Sequence, residues 1–341
     1  MSLSIEEVLD RFRSFLQERK SLSKPLAPKN PPLASDLSVR IYYFMAKRFL
    51  NAMFPKYDLP FNEDVAREYL SIYRKRKAKP RTLLVIYSTL KNLYACMGWP
   101  FNIDWREFVP EVERFSDEPY LSKEEIDRVL SYAEEKAKNG NFIDVRNLVI
   151  LYLLVHGLRP EDIRRLKVKN VSTQKMKVAD GEGEYEACVV EYTPCKRGRS
   201  TAKIFSLKAT LWIERWIGFL EKVFDADELQ FAPLIPSMRA ENPPNVRSRL
   251  KRRKMAMFKP LSYQMMYKIV RRLIFECFNW DEDVAEKANP YSIRRGIISY
   301  LIDSGRASIE DINRWFGWRT PMASVYDKRR SHEVAMKFVN L

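Results

Sequence analysis

The stretch from Asn289 to Asp327 is punctuated as three short helices in succession, and the rest of the chain is organised around it. Pro290 suits a first helical turn, where its missing donor would be unpaired anyway. Ile293, Ile297 and Leu301 then repeat at four-residue spacing until Gly305 supplies a stop. Ser308 followed by Asp311 predicts a capping box, Ile312, Trp315 and Phe316 give the second helix an apolar side, and Gly317 ends it. Thr320-Pro321 opens a third helix, with Tyr326 on or just past its second turn. Tyr291 and Arg294 stand three apart, so they share one helical face and can reach one ligand.

A further arginine lies upstream, in Leu154-Val-His-Gly-Leu-Arg-Pro-Glu-Asp-Ile163. Arg159 falls between an apolar helix that ends at Gly157 and a helix for which Pro160, Glu161 and Asp162 are good first-turn residues. A helix start offers free backbone donors and a positive dipole end, so an arginine there can hold a phosphate. On its own it reads more readily as a surface arginine paired with Glu161 or Asp162. In order, Gly-Leu-Arg at 157–159, Tyr-x-x-Arg at 291–294, Phe-Gly-Trp at 316–318 and Tyr326 resemble the boxes of the tyrosine recombinases. Those boxes are commonly Thr-Gly-Leu-Arg-x-x-Glu-Leu, His-x-x-Arg, Leu-Gly-His/Trp and Tyr. Jointly they are specific and span about half the chain; the phage-type integrases of archaeal viruses and plasmids are the nearest branch.

That resemblance implies a mainly α fold with a small β-hairpin or sheet, arranged as a two-domain C-shaped clamp of a helical core-binding domain and a catalytic domain. It implies that Tyr326 attacks a scissile phosphate to give a 3′-phosphotyrosine, that Arg159 and Arg294 clamp the phosphate, and that Asp162 buttresses the site. Trp318 takes the His/Trp position, where an indole can donate a bond and pack the nucleophile. Lys196, in the hairpin turn, is the positional match for the lysine that protonates the leaving 5′-oxygen; Arg197, Arg199 and Lys203 are alternatives, as is a basic turn without chemistry. No cofactor is implied, since rejoining needs neither ATP nor metal. Tyr291 departs from the family histidine: a phenol with a pKa of about 10 is a poor base at neutral pH, though it can donate a hydrogen bond. Implied partners are double-stranded DNA attachment sites and a homo-tetramer on paired sites. Rival readings are a catalytically silent DNA-binding protein of the same fold and a type IB topoisomerase-like enzyme.

Charge agrees with a polyanionic partner: the 341 residues carry a net charge of +16. Runs of about 18 apolar residues and a signal core are both lacking, so a membrane partner is not expected and the protein is placed in the cytoplasm, at the nucleoid. Four cysteines without a Cys-x-x-Cys pair indicate neither a disulfide framework nor a zinc site.

In chain order, 1–34 reads as an amphipathic helix and a proline-rich linker, the helix being either a partner-binding arm or the first element of the domain. Residues 35–117 read as a helical core-binding domain and 118–341 as the catalytic domain with a tail over 327–341. Asn62 caps one helix whose end is the basic run Arg74, Lys75, Arg76, Lys77; Arg81 and Lys91 extend it beside tyrosines as a DNA-backbone footprint. A period of two from about Lys177 to Leu207 predicts strands at 188–193 and 202–207, followed by a helix from Leu211. Arg247, Arg249, Lys251, Arg252 and Arg253 form a basic loop suited to the DNA backbone. The apolar side of the tail, Val334, Ala335, Phe338 and Val339, docks either on its own chain or on a neighbouring protomer.

Overall fold

Local capping chemistry sets most helix starts in the computed structural model, which describes residues 3–21, 36–109, 119–139, 141–177, 184–195, 200–237 and 259–318. Contacts divide the chain into two units, Met1–Arg114 and Phe115–Leu341. The first holds α1 (Ile5–Ser21), α2 (Asp36–Met53), α3 (Glu63–Lys75) and α4 (Pro80–Met97). Asn62 accepts from the Val65 N–H at 3.2 Å to cap α3, while its own carbonyl accepts from the Tyr94 hydroxyl at 2.9 Å. Gly98, in the left-handed region at φ 70°, ends α4. Phe49 is the hub of the core, edge-on to Phe61 at 5.5 Å and to Tyr69 at 5.1 Å between centroids. Val8, Phe12 and Leu16 of α1 are fully buried against α2 and α4, so the first helix spends its apolar side inside its own domain.

The second unit is built round α6 (Phe142–Val155), whose residues from Leu148 to Leu154 are all buried. A helix apolar on every side must be enclosed, and α6 is packed by α5 (Lys123–Asn139), α8 (Leu207–Glu221) and α11 (Pro290–Asp303). Ser122 and Glu125 form the predicted box at the start of α5, with bonds of 3.2 Å and 2.7 Å. Short α7 (Pro160–Arg165) follows α6; α9 (Ala226–Leu229), α10 (Tyr263–Cys277) and α12 (Ile309–Trp315) complete the α-helices among the described residues. No described helix is long and apolar enough to cross a membrane.

One antiparallel sheet, β1 (Val171–Lys177), β2 (Glu184–Tyr192) and β3 (Thr201–Ile204), lies against α8 with β2 in the middle. The period-two reading gave two strands and missed β1. Its sequence, Val-Ser-Thr-Gln-Lys-Met-Lys, is an edge strand with too few apolar residues to alternate. The second predicted strand is also shorter than expected, because Ser206 accepts from the Ala209 N–H at 3.4 Å and starts α8 at Leu207 rather than Leu211.

Close approach fixes α11 in this frame. A Cβ on Gly296 would lie 1.9 Å from the Leu121 carbonyl oxygen, so only glycine lets the helix pass the entrance to the domain.

Candidate active site

Arg159 is the N-cap residue of α7, in extended backbone at φ −84° and ψ 152°, immediately after the turn at Gly157 that closes α6. Asp162, 2% exposed, holds this join. Its Oδ2 accepts from the Arg159 backbone N–H at 3.3 Å and stands 3.7 Å from the guanidinium. Its Oδ1 accepts from the Cys195 N–H at 2.8 Å, where the chain leaves β2. One carboxylate therefore ties the arginine to the sheet, and a charge-assisted pair of this kind orients as well as attracts.

Arg294 comes from the second turn of α11, whose first turn is capped by Asn289 accepting from the N–H groups of Tyr291 and Ser292, both at 3.0 Å. It is 4% exposed. Its guanidinium carbon lies 4.4 Å from the centroid of Phe316 and 5.5 Å from that of Trp318, and those two rings stack at 5.1 Å. The stack is possible because the chain turns at Gly317, φ 65°, directly after α12. Ser308 and Asp311 make the predicted box at the start of α12.

The two arginines act on the same side chains. Burial raises the pKa of Tyr192 and of Tyr291 and lowers that of Lys203, and the charge of both arginines pulls each of the three downward. For Tyr291 burial outweighs this and raises the phenol to about 12, so it is a neutral hydroxyl throughout the physiological range. Its hydroxyl shares a hydrogen bond with that of Tyr263, from the first turn of α10. Nothing in the sequence pointed to Tyr263, which comes from a helix remote in sequence and carries no motif. Cys195 sits in the same environment, its thiol pushed up to about 11 by burial and by its bond with Asp162.

Lys203 points inward from β3 and is 0% exposed. Its ammonium nitrogen is 4.1 Å from the Trp315 centroid and 5.4 Å from that of Phe316, with no hydrogen-bond partner. Burial first, then Arg294 and Arg159, lower its pKa to about 7. His156 is a packing residue: its Nδ1 stands 2.8 Å from the Tyr152 carbonyl oxygen, its ring lies against Phe205, and burial lowers its pKa to about 4.

Of the residues singled out by sequence, the structure thus brings together Arg159, Asp162, Tyr291, Arg294, Trp318 and Lys203. Tyr326, Lys196, Arg197, Arg199, Arg247, Arg249, Lys251, Arg252, Arg253 and the tail lie outside the described residues. In the first unit Arg74, Lys75, Arg76 and Lys77 are all exposed at the end of α3, and Arg74 donates to the Glu107 carbonyl at 2.8 Å. Arg81 and Lys91 are exposed on α4, at its first turn and ten residues on.

Comparison with known proteins places this geometry. The model of the phage integrase family matches residues 119–330. Among solved structures, the XerH site-specific recombinase bound to palindromic difH substrate, a post-cleavage complex, is similar with a TM-score of 0.69 and 14% identity, over 99% of this chain and 98% of that one. The Tn1549 transposon integrase in complex with transposon right end DNA gives 0.60 at 12% identity, over 100% and 99%. A lambda integrase dimer bound to a COC′ core site gives 0.58 at 15% identity, over 98% of each chain. No curated protein matches the chain by sequence.

Proposed function

The chain belongs to the phage integrase family and is a site-specific recombinase of the tyrosine type, and from that premise we propose how its own residues cut and rejoin DNA. The Tyr326 oxygen attacks the scissile phosphorus, the bond to the 5′-oxygen breaks, and the DNA is held as a 3′-phosphotyrosine. Lys196 supplies the proton to the leaving 5′-oxygen, and the proton lost from Tyr326 passes to water. Attack by another strand's 5′-hydroxyl reverses the sequence and conserves the bond energy. The observation that carries this reading is that Arg159, braced by Asp162, and Arg294, walled by Phe316 and Trp318, both act on Lys203 and Tyr291. Two planar forks in one neighbourhood suit the non-bridging oxygens of a phosphate and stabilise the charge that builds there. Tyr291, a neutral phenol, serves as a hydrogen-bond donor to the same oxygens and not as a base.

The DNA is held through its backbone by the basic end of α3, with Arg81 and Lys91, in a core-binding domain over 35–117, and by the hairpin turn and the basic loop of the catalytic domain. The protein acts at the nucleoid as the integrase of a mobile element, an archaeal virus or plasmid, and as a tetramer on paired sites joined through the tail.

The test is to incubate the protein with genomic and element-flanking DNA, denature in SDS, and look for DNA-linked protein, with Tyr326→Phe beside it. An adduct that the variant loses while still binding DNA is the expected result. Binding without an adduct on any substrate, nicked duplexes included, would instead make this a silent DNA-binding member of the fold. Relaxation of supercoils without exchange between sites would favour the topoisomerase alternative.

A further inference from the structure

Lys203 is a cation where a cation is hard to keep. Its nitrogen is sealed from solvent and has no hydrogen-bond acceptor among the described residues. The faces of Trp315 and Phe316 cover it, which are weak substitutes for water or a carboxylate. Its charged and titratable neighbours are Arg159, Arg294, Asp162 and His156. Two of these are fixed positive charges, and His156 is held neutral by burial. The single negative neighbour among the described residues, Asp162, already serves the Arg159 and Cys195 amides. Among the described neighbours of Lys203 positive charge is thus in excess, and the group among them that can shed a proton near neutrality is this lysine.

We propose that Lys203 adjusts the charge of the anion site, standing as a neutral amine while the Arg159–Arg294 pair is empty and taking up a proton when an oxyanion enters between the two guanidiniums. The proton comes from the buffer and forms the third N–H bond of the ammonium. An incoming anion cancels the repulsion that opposed it, so anion binding and protonation favour each other. Linkage makes the effect reciprocal: whatever the anion does to the lysine's affinity for a proton, the proton does to the site's affinity for the anion. Free Lys203 loses its proton as pH rises through about 7. Above that pH each anion bound must bring one proton with it, so affinity falls by about tenfold per pH unit until the pKa of the occupied site is reached. Below it the lysine is already charged and affinity is flat. This inference rests on the two arginines being an oxyanion clamp, but not on Tyr326 or on cleavage.

The experiment is an NMR titration of the full chain labelled with 13C at the lysine Cε, with and without sulfate, chosen because its charge is fixed across the range. One lysine is expected to titrate near 7 without sulfate and to move up by a unit or more with it. Its resonance is assigned by its loss in Lys203→Gln or, should that variant fail to fold, by its loss in Lys203→Met. Arg294→Gln is expected to raise the sulfate-free midpoint, since it removes one positive neighbour, and to blunt the response to sulfate. Finding every lysine near the ordinary value of about 10.4 would overturn the proposal, and so would a low midpoint that ignores sulfate. The recombinase reading fails separately. A sulfate response without any DNA adduct keeps the charge-adjusting site and removes strand exchange, while an adduct with an unresponsive Lys203 does the reverse.

Discussion

Gly157 and Phe316 touch so closely that a Cβ on the glycine would lie 2.5 Å from the Cε1 of the ring. The same ring stacks on Trp318 and lies under Arg294, so the turn before Arg159 and the aromatic wall of Arg294 are packed as one piece. Gly157→Ala meets two penalties at once, a left-handed backbone at φ 87° and a displaced ring. Together these come to about 2–4 kcal/mol of lost stability. Urea unfolding reads that loss. Cleavage is expected to fall further than DNA binding, because the displaced ring is the one that seats an arginine of the clamp.

Two helical glycines make a matched pair with opposite signs. At Gly296 a Cβ would meet a backbone oxygen that cannot rotate away, and Gly296→Ala is expected to destabilise by about 3 kcal/mol or more as α11 is forced off Leu121. Gly218, in α8, has nothing within 4 Å of such an atom. There Gly218→Ala should stabilise by about 0.5–1 kcal/mol through helix propensity alone. Thermal melts of the two variants should move in opposite directions; equal shifts would contradict the close approach at Leu121.

Tyr291 stays protonated up to about 12, so its own titration contributes no limb to a pH–rate profile anywhere near neutrality. Tyr291→His should introduce one with a midpoint near the histidine value of about 6.5, displaced downward by the two arginines. Tyr291→Phe should reduce cleavage by about ten- to a hundredfold, a lost hydrogen bond to a charged oxygen being worth roughly 1.5–3 kcal/mol, without altering the profile's shape. Single-turnover cleavage on a nicked duplex over a pH series distinguishes a donor from a base: a limb in the native profile that vanishes in Tyr291→Phe would mean a base.

Lys77 is exposed and lies at φ 54° after the end of α3, a conformation that costs a side chain about 1 kcal/mol. Lys77→Gly should therefore leave the fold as stable or slightly more so while removing one cation from the basic run. Its signature is in the salt dependence: the slope of log K against log[salt] for DNA binding should shrink by about 0.9. An unchanged slope would remove the end of α3 from the footprint.

What could be read from the sequence was whatever is decided within a turn or two. Asn62, Ser122 with Glu125, Pro290, and Ser308 with Asp311 announce helix starts because the groups they satisfy lie only two or three residues away. The strand β1 escaped because an edge strand needs no apolar alternation, and Ser206 was passed over as a cap because it follows a run that alternates. The arginine pair, Asp162 and Tyr291 were legible as family boxes, each carried on a local turn. Two features of the site were not. Period two says on which side of a strand a residue lies but not that Lys203 faces inward among rings, against the usual preference for an exposed lysine. Tyr263 reaches Tyr291 from another helix, a pairing that only tertiary packing creates.

Asp162 also acts as a shared datum for two stretches of chain far apart in sequence. With one oxygen on the Arg159 amide and the other on the Cys195 amide, it sets the point at which the chain departs from β2 in the coordinate frame of the arginine. The exit of the chain from β2 is thereby indexed to the clamp and not to the length of the strand.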